Sequence, residues 1–150
     1  IKIARTENVK IIINDRVDIA IAVKADGVHL GQDDFPPIAA RNILGENAVI
    51  GYSTHNFEQV SEAINFPVDY VAFGPVFATT TKENPDKVVG LEQVKKVREI
   101  IKDFPLVAIG GINSENYLQV LSLGADSVAI ISDLISEASK ITEKLKFLSQ

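Results

Sequence analysis

Short apolar runs and amphipathic stretches alternate along the whole chain. The runs are Val9–Ile13, Val28–Leu30, Val49–Gly51, Tyr70–Gly74, Leu106–Ile109 and Val128–Ile131, and each reads as a strand. Between them the spacing predicts helices: a short one near Asp18–Val23, then Pro37–Leu44, Phe57–Ile64, Leu91–Ile101, Glu115–Leu123 and Ile135–Leu148. The period is clearest in Leu91–Ile101. There Leu91, Val94, Val97 and Ile101 share one face, and Glu92, Lys95, Lys96 and Glu99 fall largely elsewhere. The strands are continuous apolar runs rather than alternations, which predicts a parallel sheet covered on both faces.

A weak internal repeat supports this order. Ala25-Asp26-Gly27-Val28, Val68-Asp69-Tyr70-Val71 and Ala125-Asp126-Ser127-Val128 each end a helix, place an Asp in the turn and begin a strand. Any βα protein makes turns of this kind, so the repeat says only that the units are alike. Six such units connected by right-handed crossovers fit either a doubly wound open sheet or a (β/α)8 barrel. A complete barrel takes about 200 residues or more, so a barrel here would lack roughly its first two βα units. The opening Ile1-Lys2-Ile3-Ala4-Arg5 reads as the tail of a helix without a capping residue, and the chain contains no methionine. The expectation is that processing or truncation removed what preceded it. No linker or low-complexity segment interrupts the 150 residues, which predicts a single domain.

Composition narrows the function classes. Apolar residues make up 46% and charged residues 23%, ordinary for a globular protein. The net charge of −5 argues against a general nucleic-acid binder. It leaves room for a phosphorylated small substrate, because local cations or a metal can balance that charge. Without cysteine there are no disulfides and no thiolate metal sites. No apolar run approaches the roughly 18 residues of a membrane helix, and the default expectation is a cytoplasmic protein.

Polar residues gather at the carboxyl ends of the runs: Asn14-Asp15-Arg16, Gln32-Asp33-Asp34, Ser53-Thr54-His55, Thr79-Thr80-Thr81-Lys82, Gly110-Gly111 and Ser132-Asp133. Nothing comparable marks the opposite ends. Barrel active sites occupy the carboxyl-end face, and this clustering favours the barrel over the open sheet. Gly110-Gly111 and Ser132, after the last two strands, suit a phosphate site, because glycine lets backbone approach a ligand and helix N-termini present free N–H groups. Asp15 and Asp34 are two carboxylates on neighbouring strands, a pair that suits Mg2+, with Asp33 as a competing ligand; helix capping would explain them equally well. Thr79-Thr80-Thr81-Lys82 lies in the longest connection, and a lysine flanked by hydroxyls can orient a pyrophosphate, although on these residues alone a flexible, solvated loop is the preferred reading. His29, in mid-strand, reads as a core histidine or as a residue lining the barrel interior, the former preferred. His55 belongs at the mouth. No nucleophile–base pair of the Gly-x-Ser-x-Gly kind occurs.

Taken together, Ile13-Asn14-Asp15-Arg16, Gly27-Val28-His29-Leu30-Gly31-Gln32-Asp33-Asp34, Gly51-Tyr52-Ser53-Thr54-His55, Phe73-Gly74-Pro75-Val76-Phe77-Ala78-Thr79-Thr80-Thr81-Lys82 and Ala108-Ile109-Gly110-Gly111-Ile112 resemble the thiamin phosphate synthase family in order and spacing. The resemblance covers nearly the whole chain and implies an α/β fold, the (β/α)8 TIM barrel, with strands three to eight present. It implies a transferase that couples hydroxymethylpyrimidine pyrophosphate to thiazole phosphate through a pyrimidine carbocation, giving thiamin phosphate and pyrophosphate. Carried over by motif, Asp15 and Asp34 are the Mg2+ ligands, and Asn14, Ser53 and Lys82 contact the pyrimidine pyrophosphate, Lys82 and Ser53 as catalytic residues. Thr79, Thr80, Thr81, Gly111, Ile131 and Ser132 form the thiazole phosphate site. The implied cofactor is Mg2+, and the implied partners are the two small-molecule substrates, with neither nucleic acid nor membrane.

Two departures stand out. The family's Gln-x-Arg-x-Lys motif, on its second strand, does not occur here, and the loop reads Thr-Thr-Thr-Lys where many members have Thr-Pro-Thr-Lys. Two other readings compete. A thiazole tautomerase shares the barrel and the thiazole phosphate site but tends to lack the pattern of Asp15, Asp34 and Lys82. An inactive phosphate-binding barrel fragment would leave sheet edges open to homo-oligomer formation. Low coupling activity is expected of the 150-residue chain itself.

Overall fold

Six parallel strands lie in sequence order in one sheet: β1 (Ile12–Asn14), β2 (Gly27–Leu30), β3 (Val49–Thr54), β4 (Tyr70–Phe73), β5 (Leu106–Ala108) and β6 (Ser127–Val128). A computed structural model describes residues 1–81 and 86–148. Helix α1 (Lys2–Thr6) precedes β1, and α2 (Val17–Val23), α3 (Pro37–Leu44), α4 (Phe57–Ala63), α5 (Leu91–Ile101) and α6 (Tyr117–Ser122) connect the strands. After β6 come α7 (Ser132–Ile135), a 3-10 turn (Ala138–Lys140) and α8 (Ile141–Leu148). Sequential parallel order with a helix in each connection is the α/β arrangement of part of a TIM-like barrel. Among the described residues no helix is long and apolar enough to cross a membrane.

The expectation of a sheet covered alike on both faces needs correction. Successive strand residues point to opposite faces, and the two sets differ here. Val28 and Leu30, Ile50 and Tyr52, Val71 and Phe73, and Leu106 and Ala108 are each 7% exposed or less. They pack beneath Val60 and Ala63 of α4, Val94, Val97 and Ile101 of α5, and Val120 of α6. Fully burying a valine or leucine contributes about 1.5–3 kcal/mol, so this face holds the fold together. The alternate positions His29, Ser53, Tyr70, Ala72 and Val107 face the other way and line an open cavity. The apolar runs concealed this alternation because Ala72 and Val107 interrupt the polar set.

The Asp repeat has a specific geometry. Asp26 Oδ2 accepts the N–H of Ile11 at 2.8 Å, Asp69 Oδ2 that of Ile50 at 2.6 Å, and Asp126 Oδ2 that of Leu106 at 2.7 Å. The backbone N–H of each Asp returns to the carbonyl of the same residue. Each Asp thus closes a two-bond ring with the preceding strand. An arginine in the last turn of every second helix joins the arrangement. Arg41 of α3 bonds Asp69 at 2.7 Å and the carbonyls of Pro67, Gly45 and Ala48. Arg98 of α5 bonds Asp126 at 2.5 Å and the carbonyls of Gly124 and Phe104. Arg5 of α1 reaches the carbonyl of Lys24 at 2.7 Å. The amino-terminal face, expected to be plain, is therefore clamped by polar side chains. The repeating unit is two βα units rather than one.

Several boundaries differ from expectation, most of all at the two ends of the chain and in β3, which runs on to Thr54. The first strand starts at Ile12, because Val9 turns its N–H back to Ala4 at the end of α1. The last strand is only Ser127–Val128, although Ala129 still donates to Ala108. The helix expected over Ile135–Leu148 is broken. Glu137 is extended, and the Ser136 hydroxyl bonds the Asp133 carbonyl at 3.2 Å, which competes with helix continuation.

Candidate functional site

A cavity of about 880 Å3 opens at the carboxyl ends of the strands. Its wall brings together Asn14 and Ser53 from the strands β1 and β3, and Asp15, Asp34, Thr79, Thr81, Gly111, Ile131 and Ser132 from the segments that follow β1, β2, β4, β5 and β6. An adjoining hollow of about 580 Å3 adds Thr80 and shares Thr79, Gly111 and Ser132. Lys82 lies outside the described residues. Every other residue expected from the sequence thus borders one of two adjoining spaces.

The carboxylates are not helix caps. Helix α2 begins after Arg16 and α3 after Pro36, and neither start has a side-chain cap bond. Asp15 has a positive φ of 63° and donates its N–H to the His29 carbonyl at 2.8 Å. Asp34 turns back over its loop, where Oδ2 accepts the Gly31 N–H at 2.6 Å. Asp33 is exposed beside it. Among the described residues no group of three or more His, Cys, Asp or Glu is placed to hold a metal ion. Mg2+ needs fewer protein ligands where substrate phosphates and water complete its octahedron. The donor chemistry of Asp15 and Asp34 on one cavity wall fits that mode.

The glycine pair also has a packing job beyond the one expected. Gly110 and Gly111 have φ of 88° and 66°. A Cβ on Gly110 would lie 2.3 Å from the Pro75 side chain, and one on Gly111 2.5 Å from the Ala78 carbonyl oxygen. Their first role is to let the loop after β4 close against the loop after β5, with Phe77 donating to the Gly110 carbonyl at 3.0 Å. That contact builds the wall on which Ala78, Thr79 and Thr80 meet Ser132. Asp133 ties the other side together. Its Oδ2 accepts the Ser114 N–H at 2.9 Å and its Oδ1 bonds Lys144 of α8 at 2.6 Å. The bond to Lys144, then that to Ser114, holds the Asp133 carboxyl below the usual carboxylate range.

Histidines 29 and 55 part company. His55 is tied to the scaffold: its Nδ1–H donates to the Gly74 carbonyl at 2.6 Å, and its backbone N–H to Gln59 Oε1. Gln59 in turn donates its N–H to Asn56, the cap of α4. His29, expected in the core, lines the cavity instead. Its Nε2 lies 2.8 Å from Ser53 Oγ and its Nδ1 3.0 Å from Tyr70 Oη. Burial pushes the His29 imidazole below its ordinary value, with Asp34 pulling weakly the other way, so the ring is neutral near pH 7. The sequence marks Gln32, whose Nε2 donates to the Ser53 carbonyl at 2.6 Å, only as a polar residue at a strand end, and Tyr70 only as the start of an apolar run. Period-two reading of β4 from Ala72 would have put Tyr70 in the cavity.

Comparison with known proteins gives a consistent picture. The family model described as thiamine monophosphate synthase matches residues 1–134. The thiamine-phosphate synthase of Koribacter versatilis is 50% identical over 135 residues, covering 90% of this chain and 64% of that protein. That of Persephonella marina is 48% identical over 147 residues, covering 97% and 69%. The solved structure of thiamine phosphate pyrophosphorylase from Pyrococcus furiosus superimposes with a TM-score of 0.87 at 37% identity, covering 99% of this chain and 69% of that one. The chain thus spans about two thirds of the length of these relatives.

Proposed function

The chain belongs to the thiamine monophosphate synthase family, and on that premise we propose that it serves the coupling of hydroxymethylpyrimidine pyrophosphate to thiazole phosphate. The products are thiamin phosphate and pyrophosphate, and the six strands correspond to strands three to eight of a (β/α)8 barrel. One observation carries the reading: Asn14, Asp15, Asp34 and Ser53 share a cavity with Thr79, Gly111, Ile131 and Ser132. In this reading two sites for anionic substrates adjoin one space, which a coupling reaction needs and a simple phosphate-binding module does not.

In this reading Asp15 and Asp34 hold Mg2+, which, when bound, neutralises charge gathering on the departing pyrophosphate. Asn14, Ser53 and Lys82 donate hydrogen bonds to the same group. Its C–O bond breaks with the electron pair leaving on oxygen, and the thiazole nitrogen then attacks the pyrimidine carbocation. Thr79, Thr80, Thr81, Gly111, Ile131 and Ser132 hold the thiazole phosphate so that the nitrogen is in line. No protein nucleophile is required. The cavity walls position two substrates and limit the water that would otherwise trap the cation.

Titration calorimetry tests the reading without relying on turnover. Thiazole phosphate and inorganic pyrophosphate should bind at separate sites, the second only with MgCl2. Binding of thiazole phosphate alone, with no pyrophosphate site, would favour a tautomerase-like or phosphate-binding role. Where coupling is measurable, Lys82→Ala should cut its rate far more than it weakens thiazole phosphate binding. Equal loss of both would remove Lys82 from the pyrophosphate role.

A further inference from the structure

His29, Gly51 and Tyr70 lie side by side across three strands. The register pairs His29 of β2 with Gly51 of β3, and Gly51 with Tyr70 of β4. The two rings stack with centroids 5.6 Å apart and meet directly above the glycine, joined by the 3.0 Å bond. A Cβ on Gly51 would lie 2.3 Å from Tyr70 Oη and 2.5 Å from His29 Nδ1. Any other residue there would drive the pair apart, so the missing side chain is what makes the contact. Ser53, two residues along the same face of β3, receives the other ring nitrogen at 2.8 Å. All three polar side chains line the cavity.

A neutral imidazole has one donor and one acceptor, so this chain of bonds runs in one of two directions. The phenol is the more acidic hydroxyl and the better donor, whereas the serine oxygen is the better acceptor. We propose that Tyr70 Oη–H donates to His29 Nδ1 and His29 Nε2–H donates to Ser53 Oγ, a relay across Gly51 that sets the Ser53 hydroxyl as a donor into the cavity. In the opposite direction the serine proton would point at His29, and Ser53 would offer only lone pairs to its ligand. Those would repel an anionic oxygen. His29 and Tyr70 are thus positioning residues acting through Ser53. The inference rests on the pyrophosphate-side role of Ser53 proposed above only for its functional consequence, since the relay itself is a property of the free protein.

Two measurements test it. Nitrogen-15 imidazole spectra of the free protein at neutral pH report the tautomer, and with only two histidines in the chain a His55→Asn variant completes the assignment. The expected result is a protonated Nε2 and a bare Nδ1 on His29, with the other tautomer gaining population in Tyr70→Phe. A protonated Nδ1 in the unaltered protein overturns the proposal. Calorimetry with inorganic pyrophosphate and MgCl2 reads the consequence. Ser53→Ala should weaken binding about tenfold, as expected for one bond to a charged group. Tyr70→Phe should weaken it about threefold when Ser53 is present and not at all in the Ser53→Ala background. The same loss in both backgrounds would mean that Tyr70 acts independently of Ser53, and the relay falls. Absence of pyrophosphate binding by the unaltered protein would count against the synthase reading instead, and the tautomer would still decide the relay.

Discussion

The Arg–Asp clamps on the amino-terminal face make a graded prediction about stability. The Arg41 side chain is 9% exposed, and it satisfies the Asp69 carboxylate together with three backbone carbonyls at 3.2 Å or less. Breaking a buried ion pair by removing one partner costs about 3–5 kcal/mol. Asp69 is 47% exposed, so water takes over part of its solvation and the expected cost of Arg41→Ala falls to about 2–4 kcal/mol. Arg98 is 21% exposed, and its partner Asp126 58%; the same substitution there should cost about 1–2 kcal/mol. Arg5 is exposed and bonds one carbonyl, which limits its loss to about 0.5 kcal/mol. The chain has no tryptophan, so urea unfolding is best followed by far-UV circular dichroism. With a slope of about 1–3 kcal/mol per molar urea, Arg41→Ala should lower the midpoint by about 1–2 M at unchanged slope. Arg41→Lys should recover less than half of that, because an ammonium cannot reproduce the planar fork. An Arg5→Ala loss as large as that of Arg41→Ala would refute the argument, since burial would then not be what sets the scale.

Two further predictions concern the phosphate side of the cavity. Asp133 is held below its usual range by Lys144, so its bonds to Ser114 and α8 are fully present above the ordinary carboxylate value and are lost as pH falls through the depressed one. Amide exchange at Ser114 and along α8 should therefore accelerate below about pH 4, and Asp133→Asn should show the faster exchange already at neutral pH; protection unaltered in that variant would mean that the brace is idle. Gly111→Val should weaken thiazole phosphate binding at least about tenfold, because its Cβ would press on the Ala78 carbonyl. Gly45→Ala has a comparable φ of 81° but open space around it; it should cost only about 1–2 kcal/mol of stability and leave binding unchanged, as calorimetry and unfolding together would show.

How much of this was legible in the chain depended on whether the cause was local. The helices of the middle of the chain were readable because their faces are set by spacing: Val94, Val97 and Ile101 are buried as their period requires. The parallel sheet and its order were readable from the alternation of elements. The candidate site was legible as residue types at strand ends, because a barrel gathers those ends wherever the loops lead. What could not be read was any contact that depends on register. Gly51 looks like an indifferent strand residue until β2 and β4 are aligned on either side of it. Only then does its lack of a side chain become the reason that His29 leaves the core reading and joins Tyr70 and Ser53 in the cavity. The three Asp residues show the same limit from the other side. The sequence displays them as turn residues of equal units, yet each clamps the preceding strand, with Arg41 and Arg98 coming from helices three elements before Asp69 and Asp126. The scaffold is thus tied at its amino-terminal face by charged groups that do no chemistry. Polar residues at the opposite face are left to line a cavity, and that division lets the carboxyl-end loops vary without loosening the sheet beneath them.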